Sequence, residues 1–343
     1  MRIGLVAPVW FPVPPTGYGG IEWVVALLAD GLVDAGHDVV LFASGDSRTR
    51  ATLMWVFDEA PSERIGQTYW ELRHLVCALD NAAEFDVLND HTGLLGLLAG
   101  GVVASPVVHT VHGPLDGDPG EMYELICRIN PRAHLVSLSL NQRRPKPELP
   151  WIANCPNGLD FSVYPVHPHR GDYLLFLGRM TADKGCHRSI AAAFQAELPL
   201  KIAGKCREPA EREYFREFVE PHLSAQIEYL GEITHGEKVE LLGNARATLF
   251  PIRWQEPFGL VLIESMACGT PVIATRWGAV PEVVEDGVSG IVVDDYRLMA
   301  AALEEADRLE PLEIRAYAER RFSPERMVAD YLGAYEAAIA AAG

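Results

Sequence analysis

Short runs of β-branched and aliphatic residues alternate along this chain with stretches whose apolar positions recur at helical spacing. The first half offers strands at Ile3–Ala7, Asp38–Ala43, Asp86–Asn89, Val107–Val111 and His134–Ser139. Between the first two, Ile21–Asp34 places Val24, Leu27, Leu28 and Leu32 on one helical face, with Gly36 as its stop. The second half restarts the pattern with Tyr173–Leu177, Leu200–Ala203, Ile227–Leu230, Thr248–Ile252, Val272–Ala274 and Ile291–Val293. Pro209–His222, Gly236–Leu242 and Leu260–Ala267 are its clearest helices. Near-continuous apolar strands separated by helices predict right-handed crossovers and parallel sheets covered on both faces. Two such sets predict two doubly wound α/β domains.

The alternation breaks at the proline-rich stretch Arg143–Pro150, followed by the turn signal Pro156-Asn157-Gly158. Ser323 followed by Pro324 supplies an N-cap and a first-turn proline, opening one last helix to the end of the chain.

Composition narrows the functions. With 29 basic and 47 acidic residues in 343, the formal charge is −18. That surplus argues against a nucleic-acid partner and against docking on an anionic membrane through a basic helix. No apolar run approaches the roughly 20 residues of a membrane span, and the start reads as a first strand rather than a signal peptide. Cys77, Cys127, Cys155, Cys186, Cys206 and Cys268 lie far apart without a C-x-x-C pair, the usage of reduced thiols in a cytoplasmic protein with no metal site.

Candidate chemistry sits just beyond predicted strands, where open α/β sheets bind ligands. After the first strand, Pro14-Pro15-Thr16-Gly17-Tyr18-Gly19-Gly20 leads into a helix. It reads either as a backbone cradle for an anion or as a flexible loop; Glu22 stands where a dinucleotide fingerprint needs its third glycine. His112-Gly113 follows the strand Val107–Val111, and Asp90-His91 ends the one before it; the latter pair reads as structural. Gly178-Arg179 and Lys184-Gly185 bracket a strand-to-helix loop, whose two cations either clamp a diphosphate or face solvent. Glu256 and Glu264 flank the start of Leu260–Ala267, about 12 Å apart if the segment is helical throughout. The backbone N–H groups of Phe258, Gly259 and Leu260 lie between them. Helix-start electrostatics account for Glu256 but not for Glu264, among Leu262, Ile263 and Met266.

In this order, the motifs resemble the retaining nucleotide-sugar glycosyltransferases of family four, with the GT-B fold. Glu256-x7-Glu264 is similar to that family's E-x7-E motif, and Gly178-Arg179 with Lys184-Gly185 to its G-R-x4-K-G segment. Gly19-Gly20, His112-Gly113, Pro156–Asp160 and Val280-Pro281-Glu282 fit the same pattern, so the resemblance spans about Met1 to Ser323. It implies two Rossmann-like domains facing across a cleft. Residues 1–157 would form the acceptor-side domain, 158–322 the donor-binding domain, and the helix 323–343 would cross back to the first. It further implies a metal-independent hexosyl transfer from a nucleoside-diphosphate sugar, UDP- or GDP-linked, to a hydroxyl acceptor, without a cofactor. Arg179 and Lys184 would hold the diphosphate, Glu264 the ribose, Glu256 and His112 the sugar. Gly19, Gly20, Phe258, Gly259 and Leu260 would add backbone contacts, with Ile233 beside the base. Ala203-Gly204-Lys205-Cys206 departs from the family's usual Gly-x-Gly-Pro turn. An epimerase or phosphorylase on this fold, or a catalytically silent nucleotide-sugar sensor, are the competing readings.

Overall fold

The computed structural model describes residues 1–17, 19–168 and 170–342. Tyr18 and Gly343, which the sequence reading placed in the glycine-rich stretch and in the segment 323–343, lie outside the described residues. The chain divides into two compact units, Met1–Gly158 with Pro324–Gly343, and Leu159–Ser323.

In the first unit, seven strands form one parallel sheet: β1 (Arg2–Val6), β2 (Asp38–Phe42), β3 (Thr52–Met54), β4 (Val87–Asp90), β5 (Val107–Thr110), β6 (His134–Ser137) and β7 (Trp151–Asn154). Their spatial order is β3-β2-β1-β4-β5-β6-β7. The chain lays strands to one side of β1 and then returns to its other side, so β1 and β4 flank the switch point where doubly wound sheets take their ligands. The helix Gly20–Asp34 buries Val24, Leu28 and Leu32 as its periodicity predicts. The long helix Pro324–Ala342 packs on that helix and on β4, β5 and β7. It buries Tyr331 and Tyr335 completely. Gly31 is glycine because a Cβ there would meet Val328 of this helix at 2.6 Å.

Two strands correct the sequence reading. Thr52–Met54 is a three-residue edge strand with too few apolar positions to show a period. Trp151–Asn154 directly follows the proline-rich stretch Arg143–Pro150 and carries no readable strand period, yet it completes the sheet beside β6 with a register shift at Leu135/Val136. The two units meet in sequence at Gly158 and Leu159, one residue beyond the 157/158 boundary expected.

The second unit repeats the plan with β8 (Leu174–Leu177), β9 (Leu200–Ala203), β10 (Ile227–Tyr229), β11 (Ala247–Phe250), β12 (Val272–Thr275) and β13 (Gly290–Val293). All pairings are parallel, in the order β10-β9-β8-β11-β12-β13, so β8 and β11 flank its switch point. Leu174, Phe176, Leu200, Ile202, Leu249 and Ile273 are all but fully buried in one core. At about 1.5–3 kcal/mol for each large aliphatic or aromatic side chain, this burial is what fixes the strand ends and the loops that leave them. The six cysteines are free thiols.

Candidate active site

The second unit gathers its predicted residues at the carboxyl ends of β8 and β11. After β8, the loop carrying Arg179 and Lys184 runs to the helix Cys186–Ala196. It is held from below by Arg188, which donates through Nε to the Pro251 carbonyl at 2.6 Å and through Nη2 to those of Ala182 and Asp183, both at 2.9 Å. Gly185 closes the loop at φ 79°, with the Arg188 guanidinium 2.2 Å from where a Cβ would stand. That explains the Lys-Gly pair: the turn tolerates only glycine, and the lysine before it is aimed by the turn.

Lys184 Nζ lies 2.5 Å from Glu256 Oε2, with both side chains mostly buried. The ammonium also sits 4.4 Å from the centroid of the Trp254 ring, a cation–π contact. Arg179 is half-buried, and no carboxylate ion-pairs with it among the described residues. Thr181 Oγ1 and Trp254 Nε1, in the same two loops, are buried without a hydrogen-bond partner among the described residues. Each such group costs about 1–3 kcal/mol unless a water or a ligand supplies the missing partner.

Glu256 precedes the helix Leu260–Ala267, whose N-cap is Gly259 at φ 90°. The segment 256–259 is not helical, so the two glutamates are not separated by two full helical turns. Gly278, at φ 56°, brings the loop after β12 so close that a Cβ would lie 2.2 Å from the Glu256 nitrogen, and Ala279 donates to the Glu256 carbonyl at 2.8 Å. Phe258 is buried edge-to-face on Phe322 at 5.6 Å, fixing the approach to the Gly259 cap. The cap leaves the helix's first N–H groups, near Phe258, Gly259 and Leu260, pointing outward with the positive end of the dipole.

Glu264 corrects the expectation of apolar surroundings. Lys238 Nζ lies 2.5 Å from its Oε1, and the Tyr164 hydroxyl donates to the same oxygen at 3.2 Å. Lys238 is placed by the helix His235–Gly243, which opens with a reciprocal capping box between Thr234 and Glu237. Burial, and after it the neighbouring Glu264 carboxylate, push the Tyr164 phenol well above its ordinary pKa, so it stays a donor. Neither residue belongs to a recognisable motif; only the fold brings them to Glu264. Ile233 lies half-buried in the loop before this helix, after Gly231 at φ 76°. Lys205 ion-pairs with Glu208 and Glu211. Gly204 in the same turn is packed against Gly178, whose oxygen lies 1.8 Å from a hypothetical Cβ.

In the first unit, Gly19 at φ 149° precedes the helix that begins at Gly20, and a Cβ on Gly19 would meet Pro15 at 2.8 Å and Glu22 Oε2 at 2.9 Å. Burial pushes the Glu22 carboxyl up to about 7. His112 lines a cavity of about 410 Å³ with His91, Thr110 and Tyr123. Asp90 is held within the structure: it hydrogen-bonds buried His109 and accepts from Thr92. His91 is likewise buried and hydrogen-bonded, to His112 and to Asn89, both at 2.9 Å. Trp70 packs on Phe57 at 4.9 Å.

Two family descriptions match consecutive parts of the chain: Glycosyltransferase Family 4 over residues 18–158 and Glycosyl transferases group 1 over residues 164–320. The chain is 27% identical to the phosphatidyl-myo-inositol mannosyltransferase of Mycolicibacterium smegmatis, over 88% of this chain and 84% of that protein. It is 26% identical to the glycogen synthase of Mycobacterium tuberculosis, over 85% and 82%. The crystal structure of AviGT4, a glycosyltransferase involved in avilamycin A biosynthesis, superposes with a TM-score of 0.73 at 26% identity, over 99% of this chain and 98% of that one. No helix among the described residues is long and apolar enough to cross a membrane.

Proposed function

The chain belongs to glycosyltransferase family four and has the GT-B fold, and from that premise we propose that it moves a hexosyl unit from a nucleoside-diphosphate sugar to a hydroxyl acceptor with retention. The observation that supports this most directly is the pairing of Lys184 with Glu256 at the Gly259-capped helix start. An ammonium held by a carboxylate and an indole face has already lost most of its rotamer freedom, so little entropy remains to be paid when an anion arrives.

When the sugar–phosphate bond breaks, negative charge grows on the leaving diphosphate and positive charge on the anomeric carbon. Arg179, Lys184 and the N–H groups at the Gly259 cap are the preorganised donors for that diphosphate. Glu264 accepts from the ribose hydroxyls through the oxygen that Lys238 and Tyr164 leave open. Glu256 and His112 take the sugar hydroxyls. Retention follows when the acceptor hydroxyl attacks from the face the diphosphate leaves, giving its proton to a diphosphate oxygen. The nucleotide is the donor's handle, and no resident cofactor enters the scheme.

A thermal-shift screen with UDP, GDP, ADP and dTDP tests the reading. A ligand that binds only the folded state raises stability by about 2.7 kcal/mol at a hundredfold excess over Kd. We expect a clear rise with UDP or GDP; no rise with any of the four overturns the nucleotide-sugar donor.

A further inference from the structure

A run of hydrogen bonds in the first unit leads from the middle of the sheet to the cavity beside His112. His91 Nδ1 lies 2.9 Å from His112 Nε2, and His91 Nε2 lies 2.9 Å from Asn89 Oδ1. Which nitrogen carries each hydrogen is decided at the far end. Asn89 Nδ2 is 3.0 Å from the Val108 carbonyl oxygen, which can only accept, and 3.1 Å from Thr110 Oγ1. The amide nitrogen must face those two groups, so the amide oxygen faces His91. Tyr335 of the last helix donates to that same oxygen at 2.8 Å, which leaves the Asn89 amide fully used.

An acceptor opposite His91 Nε2 requires that nitrogen to bear the hydrogen. His91 is buried, and burial together with His112 and His109 pulls its pKa far below the usual value. Burial, with His109 second, brings His112 down to about 3. Both rings are therefore neutral at physiological pH, with one hydrogen each. His91 Nδ1 is bare and accepts from His112 Nε2–H, so His112 Nδ1 is bare in turn.

We propose that Asn89 and His91 are positioning residues that lock His112 in its Nε2–H tautomer, so that the ring meets a ligand in the cavity only as a hydrogen-bond acceptor, through Nδ1. The proposal rests on the reading that His112 touches the transferred sugar, and it gives that contact a direction. A sugar hydroxyl supplies the hydrogen that Nδ1 needs. A deoxy or fluoro substituent at the contacted position supplies none, so the relay is also a device for selecting a hydroxylated sugar.

Long-range proton–nitrogen correlation spectra of the full chain, labelled with nitrogen-15 at histidine, read the tautomers directly. Wild type should show His91 and His112 as neutral Nε2–H rings at pH 7. His112 found as Nδ1–H, or as imidazolium, overturns the proposal. Asn89→Leu removes the anchoring oxygen and should spread both rings over two tautomers; unchanged spectra overturn it. Should that variant not fold, His91→Phe removes only the acceptor of His112 and must release His112 alone. The second readout is calorimetry with UDP-glucose and with UDP. His91→Phe should weaken the sugar-bearing ligand by about tenfold, the effect of one modest hydrogen bond, while UDP affinity holds. Equal losses for both ligands mean a merely structural role and overturn the positioning. Wild type that binds neither ligand counts against the donor reading instead, while the tautomers still decide the relay.

Discussion

Beyond the strand ends of the first unit, the buried polar groups are mostly neutral and satisfy one another: Asn89, His91, His112, Thr110 and two tyrosines of the last helix. At the equivalent ends of the second unit they are charged and paired, Lys184 with Glu256 and Lys238 with Glu264. The sheet plan is the same, so the architecture does not impose the difference. A neutral network contributes about 1 kcal/mol per bond and fixes directions. A mostly buried ion pair contributes little net stability but holds a charge in place, and losing one partner strands the other.

The largest expected effect tests the charged side. Arg179→Ala and Lys184→Ala should each lower turnover by about 10²–10³ or more, the cost of removing one preorganised donor from a developing anion. Lys184→Ala also leaves Glu256 buried without its cation. Initial rates with a nucleotide-sugar donor measure both. Losses under about tenfold in both variants would break the assignment of the diphosphate to this loop.

A smaller effect separates the two glutamates. Glu264→Ala should weaken binding of the bare nucleoside diphosphate by about 1.5–3 kcal/mol, the range for hydrogen bonds to charged groups. Glu256→Ala should leave that affinity nearly intact and lower turnover, because the bare diphosphate carries no sugar. Calorimetry on the two variants decides, and equal losses sink the division of roles. Tyr164→Phe sharpens it: Lys238 still holds the same oxygen of Glu264, so the loss should be about 1 kcal/mol or less.

The motif residues were legible because each sits at a strand end where backbone geometry dictates the residue type. Gly185 needs a positive φ against Arg188, and Gly259 needs one at a helix start. Eleven of the thirteen strands could be read from apolar runs. The edge strand Thr52–Met54 has three residues, and Trp151–Asn154 is only half-buried and follows a proline-rich stretch, so neither shows the pattern. Lys238 and Tyr164 were not legible at all. They lie 26 and 100 residues from Glu264, and nothing local marks a lysine on an amphipathic helix as the partner of a distant carboxylate. His91 was half legible: β4 and β5 pair in parallel, Asp90 opposite His109, so the residues following each strand become neighbours. What the sequence did not carry was the side-chain direction that turns this neighbour into a hydrogen bond.

Glu22, like Asp90, is a buried acid on this otherwise neutral side. Glu22 titrates at about 7 against an ordinary 4.5, because burial disfavours its charged form. Between those values the folded state binds more protons than the unfolded one. Stability from this group is therefore fully present below pH 4.5 and is lost as pH rises through 7. Glu22→Gln should thus be more stable than wild type by about 3 kcal/mol at pH 8 and indistinguishable at pH 4. Denaturant titrations of both proteins at the two pH values measure the difference. A gap that does not shrink on acidification would mean the carboxyl is not the cause.

The smallest expected effect is none. If the fixed cations of the second unit carry the leaving group, excess EDTA should leave turnover unchanged. The leaving diphosphate gains negative charge as the bond breaks, and a catalyst must already have positive charge oriented there. A divalent ion provides it at the cost of ordering itself and its waters. Lys184, aimed by the Gly185 turn and held by Glu256, and Arg179 at the head of the same loop provide it without reorganisation, together with the Gly259 helix start. The comparison within the second unit sharpens the test. Were Lys184 a mere hydrogen-bond partner of Glu256, Lys184→Gln would retain most activity; if a cation must stand on this loop, Lys184→Gln is as inactive as Lys184→Ala and Lys184→Arg recovers part of the rate. Turnover abolished by EDTA and rescued by Mg²⁺ or Mn²⁺ would hand the electrostatic role to a metal. An inverted anomer in the product would separately overturn retention, since attack from the leaving-group face cannot produce it.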